Sequence, residues 1–100
     1  MNTDLSTLVW GALMPGVIAY PVEPWVLGAV AQGVNAVCLF QDASGSRQQT
    51  RASVKALRMV SADLLIAVDE EGGEVTRLQV DTGSPFLSPF ALGVLSLIHI

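Results

Sequence analysis

The sequence predicts an α/β fold built on a parallel sheet, and three observations carry that expectation. Stretches with helical spacing of apolar residues alternate along the chain with short, unbroken apolar runs. The connections between them are only a few residues long. The apolar runs are continuous rather than alternating with polar residues, the pattern of strands covered on both faces, as in a parallel sheet. Alternation of this kind implies a sheet wrapped by helices.

The elements follow in order. Asn2, Thr3 and Asp4 offer side chains that could cap a first helix, in which Leu5, Leu8, Val9 and Ala12 recur as one apolar stripe. Pro15 and Gly16 stop it, and a first short strand falls within residues 13–19. Pro21 and Pro24 suit the first turn of a second helix, read over residues 22–32 with Trp25, Val26, Ala29 and Val30 inward. Gly33 is placed to cap its carboxyl end. Residues 36–40 form a buried strand, and residues 41–46 a polar loop containing Ser44, Gly45 and Ser46. Helical spacing resumes over residues 47–60, with Val54, Leu57 and Val60 inward and Arg51, Lys55 and Arg58 toward water. Asp63 lies in a turn before a third strand, residues 64–68.

Composition narrows the function classes. Apolar residues make up 51% of the chain and charged ones 14%, more apolar than a self-contained domain of 100 residues needs. The expectation is a piece of a larger domain. The uncharged stretches near the amino end are broken by Gly11, Pro15, Gly16 and Pro21, then by Gln32, Gly33 and Asn35, which argues against a spanning helix. No basic residue precedes the first apolar run, so no secretory signal is read and a cytoplasmic location is expected. A net charge of −4 argues against a nucleic-acid surface. Cys38, the single cysteine, lies in an apolar run and is read as a buried core thiol.

The chemistry concentrates in residues 64–78, LLIAVDEEGGEVTRL. The apolar run ends on Asp69, followed by Glu70, Glu71, the turn-forming Gly72 and Gly73, Glu74, and then Arg77. Asp69 thus falls at the carboxyl end of a strand, where parallel α/β folds bind their ligands. The segment from Val68 to Leu78 resembles the D-x-E-G-G-x-V-x-R-[LF] motif of glycoside hydrolase family 3, in its bacterial β-N-acetylhexosaminidase branch. Glu74 stands where family members usually carry arginine. Gly83-Ser84-Pro85 resembles the family's proline turn, Pro89-Phe90-Ala91-Leu92-Gly93 its A-L-G segment, and residues 33–40 its second strand.

That resemblance implies the amino-terminal portion, about three β/α units, of a (β/α)₈ TIM barrel, with residues 1–94 as the fragment. It implies a retaining hydrolase that removes terminal β-linked N-acetylglucosamine from a carbohydrate substrate, without metal or organic cofactor. A family 3 β-glucosidase and a non-catalytic sugar-binding domain on the same scaffold are the alternatives. Asp69 would bind the sugar, accepting hydrogen bonds from two neighbouring hydroxyls, and Arg77 would line the same pocket. Glu71 is expected to hold the Gly72–Gly73 turn by accepting backbone N–H bonds, with Glu70 and Glu74 solvated. No catalytic residue is assigned, because the nucleophile and the acid/base of such enzymes come from later elements. The acids show neither the alternating spacing of a calcium loop nor accompanying histidines, and no phosphate-loop lysine follows the glycines. The last six residues, Leu95 to Ile100, resemble the translation of a transposon adapter used in preparing sequencing libraries. They are set apart from the fold, so His99 receives no role.

Overall fold

The structure, a computed structural model, describes residues 4–40 and 46–95. The order is α1 (Leu5–Gly11), β1 (Gly16–Ile18), α2 (Pro24–Gln32), β2 (Ala36–Phe40), α3 (Arg47–Val60), β3 (Leu65–Val68) and α4 (Pro89–Leu95). The three strands form one parallel sheet in the order β1-β2-β3. Asn2, Thr3, the Ser44–Gly45 pair and His99, all considered above, lie outside the described residues, as do residues 96–100 of the tail. Leu95 closes α4.

Local chemistry explains most boundaries. Asp4 stands at the N-cap position of α1, but its side chain makes no capping bond. α2 starts at Pro24 rather than at residue 22, because a residue before proline is pushed out of the helical region and Glu23 is extended, at φ −73° and ψ 143°. The Glu23 carboxylate instead accepts a 2.8 Å hydrogen bond from the Trp25 indole N–H. Gly33 closes the helix at φ 126°, a conformation that disfavours a side chain. α3 opens on a capping box: the Ser46 hydroxyl accepts from the Gln49 N–H while the Gln49 side chain accepts from the Ser46 N–H. β3 begins one residue later than the apolar run, since the Leu64 N–H bonds back to the Ser61 carbonyl and Leu65 is the first to reach the neighbouring strand, at the Asn35 carbonyl.

The core lies on one side of the sheet. Val17, Val37 and Leu39 point into it with Val26 and Val30 of α2, Val34, Leu57 of α3 and Leu64. Ile66 and Val68 pack against the same cluster. α3 buries Thr50, Ser53 and Leu57, whereas Val60 is 41% exposed. Its inner face is thus more polar than the expected Val54–Leu57–Val60 stripe, because Thr50 and Ser53 take buried positions alongside Leu57.

The opposite sheet face is open. Register aligns Gly16 with Cys38 and Cys38 with Ala67, Ile18 with Phe40, and Ala36 with Leu65. In-register neighbours on parallel strands share a face. Leu65 is 61% exposed, and Ile18 and Phe40 about two-fifths exposed (41% and 39%). Two expectations are corrected here. The strands are covered on one face, not both, because every helix packed on the sheet lies on the Val37–Leu39 side. Cys38 is half-buried rather than a core thiol, because alternation along β2 turns it to the open face. The molecule's shortest dimension, 18 Å, fits one sheet layer and one helix layer.

Candidate functional site

The site sits at the carboxyl ends of β2 and β3. Leu39 pairs with Val68, so the next residues, Phe40 and Asp69, leave adjacent strands side by side. Alternation carries both to the open face, and Asp69 is exposed. The chain then folds back tightly. Gly72 bridges to Val75, whose N–H bonds the Gly72 carbonyl, and the Gly73 N–H bonds the Phe86 carbonyl at 2.9 Å.

Both glycines are required twice over. Their φ angles, 81° and 62°, lie in the left-handed region. A Cβ on Gly72 would also collide with the Leu87 carbonyl oxygen, and one on Gly73 would come within 2.6 Å of the Ser88 Cβ. The turn is therefore clamped under residues 86–88, just ahead of α4. Ser88 caps α4 through its hydroxyl, which accepts from the Ala91 N–H at 3.2 Å.

Glu70, not Glu71, is the acid that holds this loop. One Glu70 carboxylate oxygen, Oε2, accepts from the Thr76 hydroxyl at 2.8 Å, the Arg77 N–H at 3.0 Å and the Leu78 N–H at 3.4 Å. Thr76 extends the network by accepting from the Gln79 N–H at 3.3 Å. Burial pushes the Glu70 carboxyl upward, but the bonds from Thr76, Arg77 and Leu78, with the Ser84 hydroxyl facing the group, outweigh it and hold the carboxyl below its ordinary value. Glu71 is exposed. The expectation of a solvated Glu70 and a turn-holding Glu71 is thus reversed. Adjacent residues at the end of a strand point to opposite sides, and it is Glu70 that faces the returning backbone. Glu74 is exposed.

Among the described residues, Arg77 does not reach back to an acid. Its guanidinium carbon lies 5.6 Å from the centroid of the Phe40 ring, within cation–π range. No ion pair joins it to Asp69 or to any other carboxylate among the described residues. The Phe40 ring in turn covers Gly16, where an added Cβ would come within 2.7 Å of its edge. Asp69, Phe40 and Arg77 thus gather at one rim of the sheet, and Glu70 ties down the backbone that carries the arginine. Sequence reasoning singled out Asp69 and Arg77 but missed Phe40 and Glu70. The signal available for Phe40 was its place as the last residue of its strand, one step from the strand register of Asp69.

Among the described residues, no three His, Cys, Asp or Glu side chains are grouped to hold a metal ion. No helix among them is long and apolar enough to cross a membrane. Compared with models of known families, with curated proteins and with solved structures, the chain matches none.

Proposed function

We propose that this chain is the amino-terminal portion of a family 3 type glycoside hydrolase, acting in the cytoplasm on terminal β-linked N-acetylglucosamine. Asp69 and Arg77 hold the sugar, while a carboxylate nucleophile and an acid/base on later β/α units of a (β/α)₈ barrel break the bond through a covalent glycosyl intermediate. These 100 residues alone are inactive. The observation that carries the reading is the exposed carboxylate of Asp69 one residue past β3, on a sheet whose strands all run parallel. Ligands of such sheets bind at the carboxyl ends of the strands. Further support comes from the helices lying on one side only, as on the outside of a barrel, and from a clamped Gly–Gly turn that returns an arginine to the same rim.

An exposed carboxylate can accept one hydroxyl on each oxygen. Asn in its place keeps one acceptor and loses the charge, removing about 3 kcal/mol of sugar binding. The test uses the gene's uninterrupted reading frame and an aryl β-N-acetylglucosaminide. The expected result is hydrolysis with retention, and a loss of about 100-fold in kcat/KM for Asp69→Asn. A frame that supplies no further β/α units, or an Asp69→Asn enzyme as active as the parent, overturns the proposal.

A further inference from the structure

We propose that Phe40 is the positioning residue for Arg77, its ring serving as the platform that holds the guanidinium at the rim beside Asp69. What the arginine does there rests on the sugar-binding reading; where it sits does not. Four observations converge. Phe40 is the last residue of β2 and is in step with Asp69 at the end of β3. Its ring rests on the bare backbone of Gly16, so a residue without a side chain on β1 makes room for it. The Arg77 guanidinium lies over that ring at 5.6 Å. The Arg77 backbone is pinned separately, through its N–H, by the Glu70 carboxylate.

The arrangement is selective. Asp69, Glu70, Glu71, Glu74 and Asp81 all lie within eight residues of Arg77, yet its charge is paired with none of them among the described residues. The nearest competitor, Glu70, directs Oε2 to Thr76 and two backbone N–H groups, while its Oε1 is buried and makes no bond to the guanidinium among the described residues. Stacking on an aromatic face restrains the guanidinium while leaving its in-plane N–H donors free, because the ring attracts the cation through its face. A long side chain already restrained loses less freedom when a ligand orders it. An arginine neutralised by a neighbouring carboxylate would instead have to break that pair first. Asp69 is then the acceptor and Arg77 the donor of one rim, a combination suited to a neutral polyhydroxyl ligand.

The experiment compares Phe40→Leu, which keeps an apolar side chain without an aromatic face, with Phe40→Tyr, which keeps the ring. Two readouts are taken in the enzyme expressed from the uninterrupted frame. The first is the ring-current shift of the Arg77 side-chain protons in NMR spectra. The second is the split between KM and kcat on the aryl β-N-acetylglucosaminide. Phe40→Leu is expected to abolish the shift and raise KM about tenfold with kcat changed less than about twofold, and Phe40→Tyr to restore both. Gly16→Ala supplies a second route, since its Cβ must displace the ring edge without removing the aromatic group. It is expected to reduce the shift as well. An Arg77 shift unchanged in Phe40→Leu overturns the proposal, as does a lost shift with KM unaltered. Should the parent enzyme neither bind nor cleave the sugar, the functional reading fails, and the shift alone decides whether Phe40 positions Arg77.

Discussion

Removing the Glu70 carboxylate tests the central structural claim about the loop. In Glu70→Ala the Thr76 hydroxyl and the Arg77 and Leu78 N–H groups lose the single oxygen they share. A hydrogen bond to an ionised acceptor contributes about 1.5–3 kcal/mol when its partner is left unsatisfied. The 3.4 Å bond from Leu78 is long and counts for little. All three donors lie in half-buried residues, so water replaces part of what is lost. A net cost of about 2 kcal/mol to the closed loop follows, or about a 30-fold increase in its open population. The assay is amide hydrogen exchange at Arg77 and Leu78, with the Val37 and Leu39 amides of β2 as internal references that should not change. Glu71→Ala is the control and should alter exchange by less than about twofold, since an exposed side chain away from such features contributes within about 0.5 kcal/mol. If Glu71→Ala loosens the loop as much as Glu70→Ala, the assignment of the tying acid is wrong.

The same carboxylate makes the loop acid-sensitive. Its pKa is lowered on folding, so its contribution is fully present above the unfolded-state value and is lost as pH falls through the folded one. Exchange at Arg77 and Leu78 should accelerate, beyond the intrinsic pH effect, only below about pH 4.5, and Glu70→Gln should remove the dependence. Two glycines with similar φ separate conformation from crowding. Gly72→Ala meets the Leu87 carbonyl as well as an unfavourable φ of 81° and should cost about 3 kcal/mol. Gly83→Ala, at φ 82° with open space around it, should cost about 1 kcal/mol, and urea unfolding of the two variants should rank them in that order. Finally, the Ser53 hydroxyl is buried without a hydrogen-bond partner among the described residues. Ser53→Ala should leave the urea midpoint unchanged or raise it, whereas a drop worth more than about 1 kcal/mol would mean that the hydroxyl is satisfied.

The order of elements and the parallel sheet were legible because both are consequences of local pattern. Apolar spacing separated helix from strand, and short connections between alternating types leave parallel pairing as the available topology. Arg47–Val60 was readable at both ends for the same reason, with Arg51, Lys55 and Arg58 turned to water. Gly33 and the Gly72–Gly73 pair announced themselves because positive φ is a single-residue property. The start of α2 was misplaced by two residues through giving Pro21 the role that Pro24 holds. α4 is the helix that periodicity did not single out; its seven residues begin at Pro89 behind the Ser88 cap.

By itself, then, the sequence determined the first three helices and the three strands, where the chain must turn, and that an acid would stand at the end of the third strand. Only the tertiary structure decided which sheet face the helices cover, and with it the exposure of Cys38 and Leu65. It also chose Glu70 over Glu71 as the loop's anchor and set Arg77 on the Phe40 ring. These choices depend on contacts between residues far apart in the chain, such as Phe40 with Arg77 and Gly72 with Leu87. Two neighbouring glutamates are chemically identical, and only the backbone that returns beside one of them tells them apart.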